Sequence, residues 1–325
     1  CWQRWCFPAM PWDGNELMLA ALDDRGMPAS TSTIAGSDTA SVFQPLWLDD
    51  DKLAYICDDT GWWQLYRYSL SATERQQLTF GEREFGLPQW VFHQSSYCAL
   101  DDTHLLCSYR SPASPDPGNR LLYIDLETGQ SRDVDSPWQE HDQLASDRSA
   151  SSNCVALIAA SSDCFPQLVT ASLCLEAEDQ ATLDTQVIRT SCSLPVSNGY
   201  YACARKLRFN NRHGQEVFAS YYPPTNPDIT TGTNDSRPPL IVICHGGPTG
   251  QSSTALDPKK QFWTSRGFAL LDVNYSGSTG YGKEYRQRLD GQWGTLDVED
   301  CCDAALYAVA EGLADKDKLI IRGSS

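Results

Sequence analysis

The sequence has no apolar run approaching the roughly 18 residues that a bilayer-spanning helix needs, so no transmembrane helix is expected and no membrane partner. It also lacks a basic excess. Against 42 Asp and Glu stand only 25 Lys and Arg, which gives a formal net charge of -17 and a pI near 4.6. Nucleic-acid binding needs a positive footprint, so no nucleic acid is expected as a partner. The acidity reads as a solvated surface, because no acidic block is long enough to form a tail. The five His are dispersed and without ligand spacing, so neither a metal nor another cofactor is expected. Cysteine is plentiful at thirteen, but paired C-x-x-C knuckles are missing and the chain is too long for a small disulfide-stapled fold. Cys57, Cys107 and Cys244 fall inside apolar stretches, where a free thiol behaves as a small hydrophobe. The cysteines therefore read as reduced core thiols of a cytoplasmic protein. Neither an initiator Met nor a signal peptide precedes Cys1-Trp2-Gln3-Arg4, and the sequence is expected to be an internal part of a longer protein.

What is present divides into two styles. Residues 1–195 are rich in short strand-like runs, aromatics and polar turns, whereas residues 196–325 alternate strands with helices. The first region carries a faint repeat. Pro11-Trp12, Pro45-Leu46-Trp47 and Pro88-Gln89-Trp90 each precede strand-like segments, with the Trp residues 35 and 43 positions apart. Leu65 to Tyr68 and Leu122 to Asp125 close two of the units, and a fainter fourth begins near Leu144. A period of about 40–45 residues with four short strands is the pattern of β-propeller blades. The fold class expected is a partial β-propeller of about four blades followed by a truncated α/β-hydrolase domain. The alternative for the first region is a β-sandwich with coincidental Trp spacing.

Ser193 to Gly199 reads as a linker. Beyond it, Lys206 to Phe209 and Glu216 to Tyr222 flank a glycine turn and predict a hairpin, and residues 225–239 form a polar surface loop. Leu240 to Cys244 is a continuous apolar run rich in β-branched residues, and it, Phe268 to Val273 and Leu319 to Ile321 are expected as buried strands of a parallel sheet. A helix is expected to start at a cap on Asp297 and to bury Val298, Cys302, Leu306, Val309 and Leu313, whose spacings of 3 and 4 mark one face.

Three segments carry chemistry. Gly323-Ser324-Ser325 follows an apolar strand and reads as the start of a G-x-S-x-G elbow, in which the serine sits on a tight strand-to-helix turn. His245-Gly246-Gly247-Pro248 follows another strand and fits a loop that offers a backbone N–H to an oxyanion. His245 itself reads as an orienting residue, because it precedes the serine whereas the triad order is Ser, Asp, His. Gly277-Ser278-Thr279-Gly280-Tyr281-Gly282 lacks a Walker lysine and reads as a structured loop rather than a phosphate cradle.

These motifs in this order resemble the prolyl oligopeptidase family of serine peptidases, in its acylaminoacyl-peptidase and dipeptidyl-aminopeptidase branch. The series runs His245-Gly246-Gly247-Pro248, Trp263-x-x-x-Gly267-Phe268, Val273-Asn274-Tyr275-x-Gly277-Ser278-Thr279-Gly280-Tyr281-Gly282, Gln292-Trp293-Gly294, Asp297-Val298-x-Asp300 and Gly323-x-Ser325. The resemblance implies a propeller before the hydrolase domain, Ser325 as nucleophile, Gly247 as an oxyanion-hole donor, and short peptides as substrates. It implies further that the triad Asp and His lie beyond Ser325, so that the 325 residues alone are inactive. Competing readings are a carboxylesterase or lipase and a non-catalytic propeller interaction module. Glu82, Arg83 and Glu84 are candidates for anchoring a peptide terminus, or else solvated surface. The oligomeric state and the choice among acylaminoacyl, dipeptidyl and endo-cleavage are left open.

Overall fold

The computed structural model describes residues 1–148, 154–175, 181–229 and 236–325. Three antiparallel sheets follow one another in the first half. Strands β1 (Trp2–Arg4), β2 (Asn15–Leu22) and β3 (Pro28–Ser37) form one; β4 (Val42–Trp47), β5 (Lys52–Cys57), β6 (Gln64–Ser69) and β7 (Glu74–Gln77) form the next. The third has eight strands and is built from two meanders. These are β8 (Tyr97–Ala99), β9 (His104–Tyr109), β10 (Arg120–Asp125) and β11 (Ser131–Asp135), then β12 (Glu140–Ser146), β13 (Cys154–Ser161), β14 (Cys164–Leu175) and β15 (Ala181–Thr190). Among the described residues the two are joined by a two-residue parallel contact of β11 with β15 and, between β12 and β8, by the Ser146 hydroxyl donating to the Ala99 carbonyl.

Side-chain alternation shows how the sheets stack. Leu53, Tyr55 and Cys57 of β5 pack with Leu17 and Ala35 of the first sheet, whereas Ala54 and Ile56 pack with Leu105, Cys107, Leu122 and Ile124. Leu106, Leu121 and Tyr123 point the other way, onto Val155, Leu157 and Val169 of the second meander. Successive residues of a strand face opposite sides of a sheet, so the middle layers are apolar on both faces and are covered on both. Turns are set locally. Asp125 accepts from the backbone N–H groups of Glu127 (2.8 Å) and Thr128 (3.0 Å), and Gly129 completes the turn at φ +72°. The three Trp of the sequence repeat are not equivalent. Trp47 ends a strand, whereas Trp90 lies in an exposed loop and packs on buried Trp12 at 4.4 Å. Tryptophan fills whichever gap an irregular loop leaves, so its spacing follows loop length rather than strand register.

Ser197 opens a single 3-10 turn (Asn198–Tyr200), and the chain enters a fourth sheet. Strands β16 (Arg205–Asn210) and β17 (Glu216–Tyr222) form the expected hairpin, where the Asn211 side chain accepts from the His213 and Gln215 amides. Strand β18 (Leu240–Cys244), helix α1 (Pro258–Thr264), strand β19 (Ala269–Asn274), helices α2 (Lys283–Gln287) and α3 (Leu296–Ala310), and strand β20 (Leu319–Gly323) follow. The sheet order is β16-β17-β19-β18-β20, parallel across β19, β18 and β20 and antiparallel between β17 and β19. Asp257 caps α1 by accepting from the Lys259 amide, with Pro258 in the first turn. Helix α3 covers one face of the sheet, against Val217, Leu240, Val242 and Leu271; α1 covers the other through Trp263, near Ile241 and Leu270. No helix among the described residues is long and apolar enough to cross a membrane.

Several expectations change. Helix α3 starts after Thr295, not at Asp297, and buries Leu296, Cys301, Ala304, Ala305 and Ala308, while Val298 and Leu306 are 51% and 59% exposed. The helix carries two stripes of helical period, and the small-residue stripe faces the sheet because it allows close approach; Val309 and Leu313 only lean on this core. Strand β20, expected to be buried, is exposed throughout because it is the outer strand of its sheet. Of the thirteen cysteines, all unpaired, Cys57, Cys98, Cys107 and Cys301 are buried, but Cys1, Cys6, Cys174, Cys192, Cys203 and Cys302 are exposed. Residues 230–235 of the expected loop 225–239 lie outside the described residues.

The two regions meet at a charged clasp. Buried Asp58, at the end of β5, receives Arg286 at 2.5 Å and Lys283 at 3.3 Å. Buried Glu84 accepts from the amides of Gly282 (2.8 Å) and Gly280 (3.4 Å). The Arg286 guanidinium also lies 4.2 Å over the ring of Trp63. Burial pushes the Glu84 carboxyl up, with Arg286 and the two glycine amides pulling the other way. Glu84 is therefore neither solvated surface nor free to hold a peptide terminus. Exposed Glu82 is solvated, and Arg83 stacks on Tyr109. Removing one partner of a buried ion pair leaves an uncompensated charge. Arg286→Met is expected to cost about 3–5 kcal/mol, whereas Lys316→Ala, which breaks the exposed Lys316–Asp317 pair, is expected to change stability by less than about 1 kcal/mol. Urea unfolding midpoints of the two variants check this; equal midpoints would rule out the clasp as a stabilising element.

Candidate active site

Strands β18 and β20 run parallel with Cys244 opposite Gly323, so the loops that leave their carboxyl ends emerge side by side. That edge of a parallel sheet is where α/β folds place ligands. The His245 to Pro248 loop leaves one strand and Ser324-Ser325 leaves the other. The two are in van der Waals contact: a Cβ built on Gly246 would lie 2.9 Å from the Ser324 carbonyl oxygen and 3.0 Å from Ser325 Cβ. Glycine is required there by space alone. Gly247 is required by conformation, at φ +139°, ahead of a cis bond to Pro248. Ser325 itself has φ +78°, a left-handed conformation that L residues adopt at a cost and that is concentrated at functional turns.

His245 is fully engaged. Its Nδ1 lies 2.9 Å from the Gly246 carbonyl oxygen, which can only accept, so Nδ1 carries the proton. Its Nε2 lies 2.9 Å from Ser278 Oγ, a hydroxyl shared with the Tyr275 carbonyl at 2.7 Å. The ring stacks on Tyr275 at 4.6 Å, and the Tyr275 hydroxyl donates to the His245 carbonyl at 2.7 Å. Burial pushes His245 below the ordinary histidine value, which keeps it neutral. These contacts orient the loop and leave His245 no role as a base toward Ser325.

The rest of the loop is tied from two directions. The α/β region holds it through Asn274, whose side-chain oxygen accepts from the Ser252 amide at 2.8 Å, and through the Thr279 amide, which donates to the Gly250 carbonyl at 2.7 Å. The β-rich region holds it through the Trp90 indole, which donates to the Thr249 carbonyl at 2.5 Å, and through buried Glu140, which accepts from the amide and hydroxyl of Thr254 at 2.8 and 2.7 Å. Arg110 pairs with the other oxygen of Glu140 at 2.5 Å. Sequence reading places Trp90 only in the Trp repeat and passes over Glu140 and Arg110, since nothing in the local pattern of those two separates them from surface residues. An open cleft of about 370 Å³ lies beside Ser325, lined by Cys244, His245, Tyr275 and Asp297. No group of three or more His, Cys, Asp or Glu side chains among the described residues is placed to hold a metal.

Gly246 tests the geometry. Gly246→Ala is expected to destabilise by about 1–3 kcal/mol through overpacking, whereas Gly250→Ala, whose added methyl meets only the Gly246 carbonyl oxygen at 3.6 Å, is expected to be neutral or slightly stabilising. Chemical denaturation of both variants makes the comparison, and a neutral Gly246→Ala would separate the loop from Ser325.

Comparison with known proteins agrees with this arrangement. Residues 254–325 match the model of the prolyl oligopeptidase family. Over 94 residues the chain is 36% identical to dipeptidyl aminopeptidase BIII of Pseudoxanthomonas mexicana, covering 29% of this chain and 14% of that protein. Over 117 residues it is 37% identical to acylamino-acid-releasing enzyme 2 of Oryza sativa subsp. japonica, covering 32% and 15%. Among solved structures, a puromycin-hydrolyzing peptidase of Mycobacterium tuberculosis superposes with a TM-score of 0.88 at 35% identity, over 100% of this chain and 47% of that one. A puromycin hydrolase superposes at 0.87 and 34% identity, over 99% and 46%. The chain thus spans about half the length of these solved relatives and a smaller share of the curated ones.

Proposed function

We propose that this chain, a member of the prolyl oligopeptidase family, carries the nucleophile and one oxyanion-hole donor of a serine peptidase acting on short peptides. The observation that carries the proposal is the left-handed Ser325 at the end of β20, pressed against Gly246. Ser325 attacks the scissile carbonyl, and the Gly247 N–H steadies the oxyanion as charge develops. The general base comes from a histidine other than His245, positioned by a carboxylate beyond Ser325. Gly246 and Pro248 shape the loop, and His245 orients it.

In this reading residues 1–195 are a partial β-propeller of about four blades. Residues 196–325 are the N-terminal part of an α/β-hydrolase domain that reaches its nucleophile elbow. Support for the blades comes from the serial stacking of the antiparallel units, each apolar layer buried between its neighbours. Thirteen cysteines without a disulfide favour a reducing, cytoplasmic setting.

The test is active-site labelling of a form that continues about 150 residues past Ser325, a further domain's worth of chain. A fluorophosphonate is expected to label one site and to lose it in Ser325→Ala; labelling unchanged in that variant would remove Ser325 as nucleophile. Acyl-alanyl and dipeptidyl chromogenic amides, with puromycin as the substrate suggested by the solved relatives' names, then sort specificity. Cleavage of simple esters but of none of these amides would point to an esterase instead.

A further inference from the structure

Cys244 is the last residue of β18, immediately before the His245 to Pro248 loop, and Cys301 lies on the sheet-facing side of α3. Their sulfurs are 3.3 Å apart. No other cysteine pair among the described residues makes a sulfur–sulfur contact of this kind. The remaining cysteines nearby differ in place: Cys302, next in sequence to Cys301, is exposed and points away from the sheet. Both cysteines border the open cleft beside Ser325, but Cys244 is partly exposed whereas Cys301 is only 3% exposed.

We propose that Cys244 and Cys301 are a redox-active dithiol that a peroxide-class oxidant entering the cleft converts to an intrachain disulfide. The geometry assigns the roles. Cys244 meets the oxidant because it is the more exposed of the two at the cleft, and Cys301 resolves because its sulfur is already in contact. The Cys301 thiol beside it favours the Cys244 thiolate, holding that group below the ordinary thiol range, while the same pairing and burial hold Cys301 above it. In the first step the Cys244 thiolate attacks one oxygen of hydrogen peroxide; the O–O bond breaks, hydroxide leaves and Cys244 becomes a sulfenic acid. In the second, the Cys301 sulfur displaces that oxygen, an S–S bond forms, and the thiol proton departs with the hydroxyl as water. Overall two thiols are oxidised and one peroxide is reduced to two waters. The product ties α3 to the strand that delivers the oxyanion loop, one strand away from the nucleophile and level with Gly323.

The experiment uses the 325-residue chain and does not depend on peptidase activity. The reduced protein is treated with one equivalent of hydrogen peroxide, remaining thiols are blocked with N-ethylmaleimide, and the digest is mapped by mass spectrometry. The expected result is a crosslinked peptide pair joining Cys244 to Cys301, lighter by two hydrogens, with loss of maleimide labelling at both. The crosslink is expected to vanish in Cys301→Ser and to persist in Cys302→Ser. Because Cys301 is buried, Cys301→Ala and circular dichroism serve as the folding control. Protein unfolded in urea before oxidation is expected to lose the preference for this pair. Cys244 left as an uncrosslinked sulfinic acid, Cys244 joined to Cys302, or both thiols still labelled after treatment would each overturn the proposal.

Discussion

Two buried carboxylates decide how the halves of this chain fit together. Asp58 and Glu84 belong to the β-rich region, yet their partners are Arg286, Lys283 and the amides of Gly280 and Gly282 in the α/β region. A carboxylate removed from water must be paired or hydrogen-bonded; Asp58 accepts from the Ser41 amide of its own region, but both carboxylates gain their charged or remaining amide partners when the two regions are docked. Glycine at 282 completes the fit, because a Cβ there would lie 3.0 Å from the ring of Trp62 and the residue sits at φ +86°. The clasp therefore specifies an orientation as well as contributing stability.

That orientation matters because the candidate active-site loop is shared. Its first residues are set by the α/β sheet: His245 is held by Tyr275 and Ser278, and Gly246 meets Ser325. Its later residues are set from outside, by Trp90 on Thr249 and by Glu140 on Thr254. A loop anchored at both ends loses little further freedom when a substrate oxygen arrives, which is the condition for a preorganised oxyanion donor. The β-rich region thus acts on the proposed chemistry through positioning.

The sequence was most legible where one local rule sufficed. Leu240 to Cys244 is apolar along its whole length and β-branched at its three central residues, and it forms a strand covered on both faces by helices. The Asn211 to Gly214 turn and the Asp257-Pro258 helix start follow from side-chain chemistry within a few residues. Helix α3 was legible as a helix but not in its orientation. Both its stripes have helical period, and only packing against the sheet selects the alanine stripe over Val298 and Leu306. Strand β20 was legible as a strand, whereas its burial depends on sheet order, a long-range property, and among the described residues it has a neighbouring strand on one side. The Trp spacing pointed to successive antiparallel units but not to equivalent sites, because Trp47 ends a strand whereas Trp90 lies in an exposed loop.

By itself the sequence determined the alternation of strand and helix after residue 196, the turn chemistry, and the presence of a serine and a glycine loop at the ends of two strands, because each depends on neighbours within a few positions. The tertiary structure alone decided that those two ends are adjacent and in contact, that His245 is spent on orienting its own loop, and that Glu84 is a buried clasp rather than a surface charge. It also decided that Cys244 and Cys301, 57 positions apart, touch. The reason is common to all four: burial, charge pairing and close contact are properties of residues brought together across the chain, and no local pattern encodes which partner arrives.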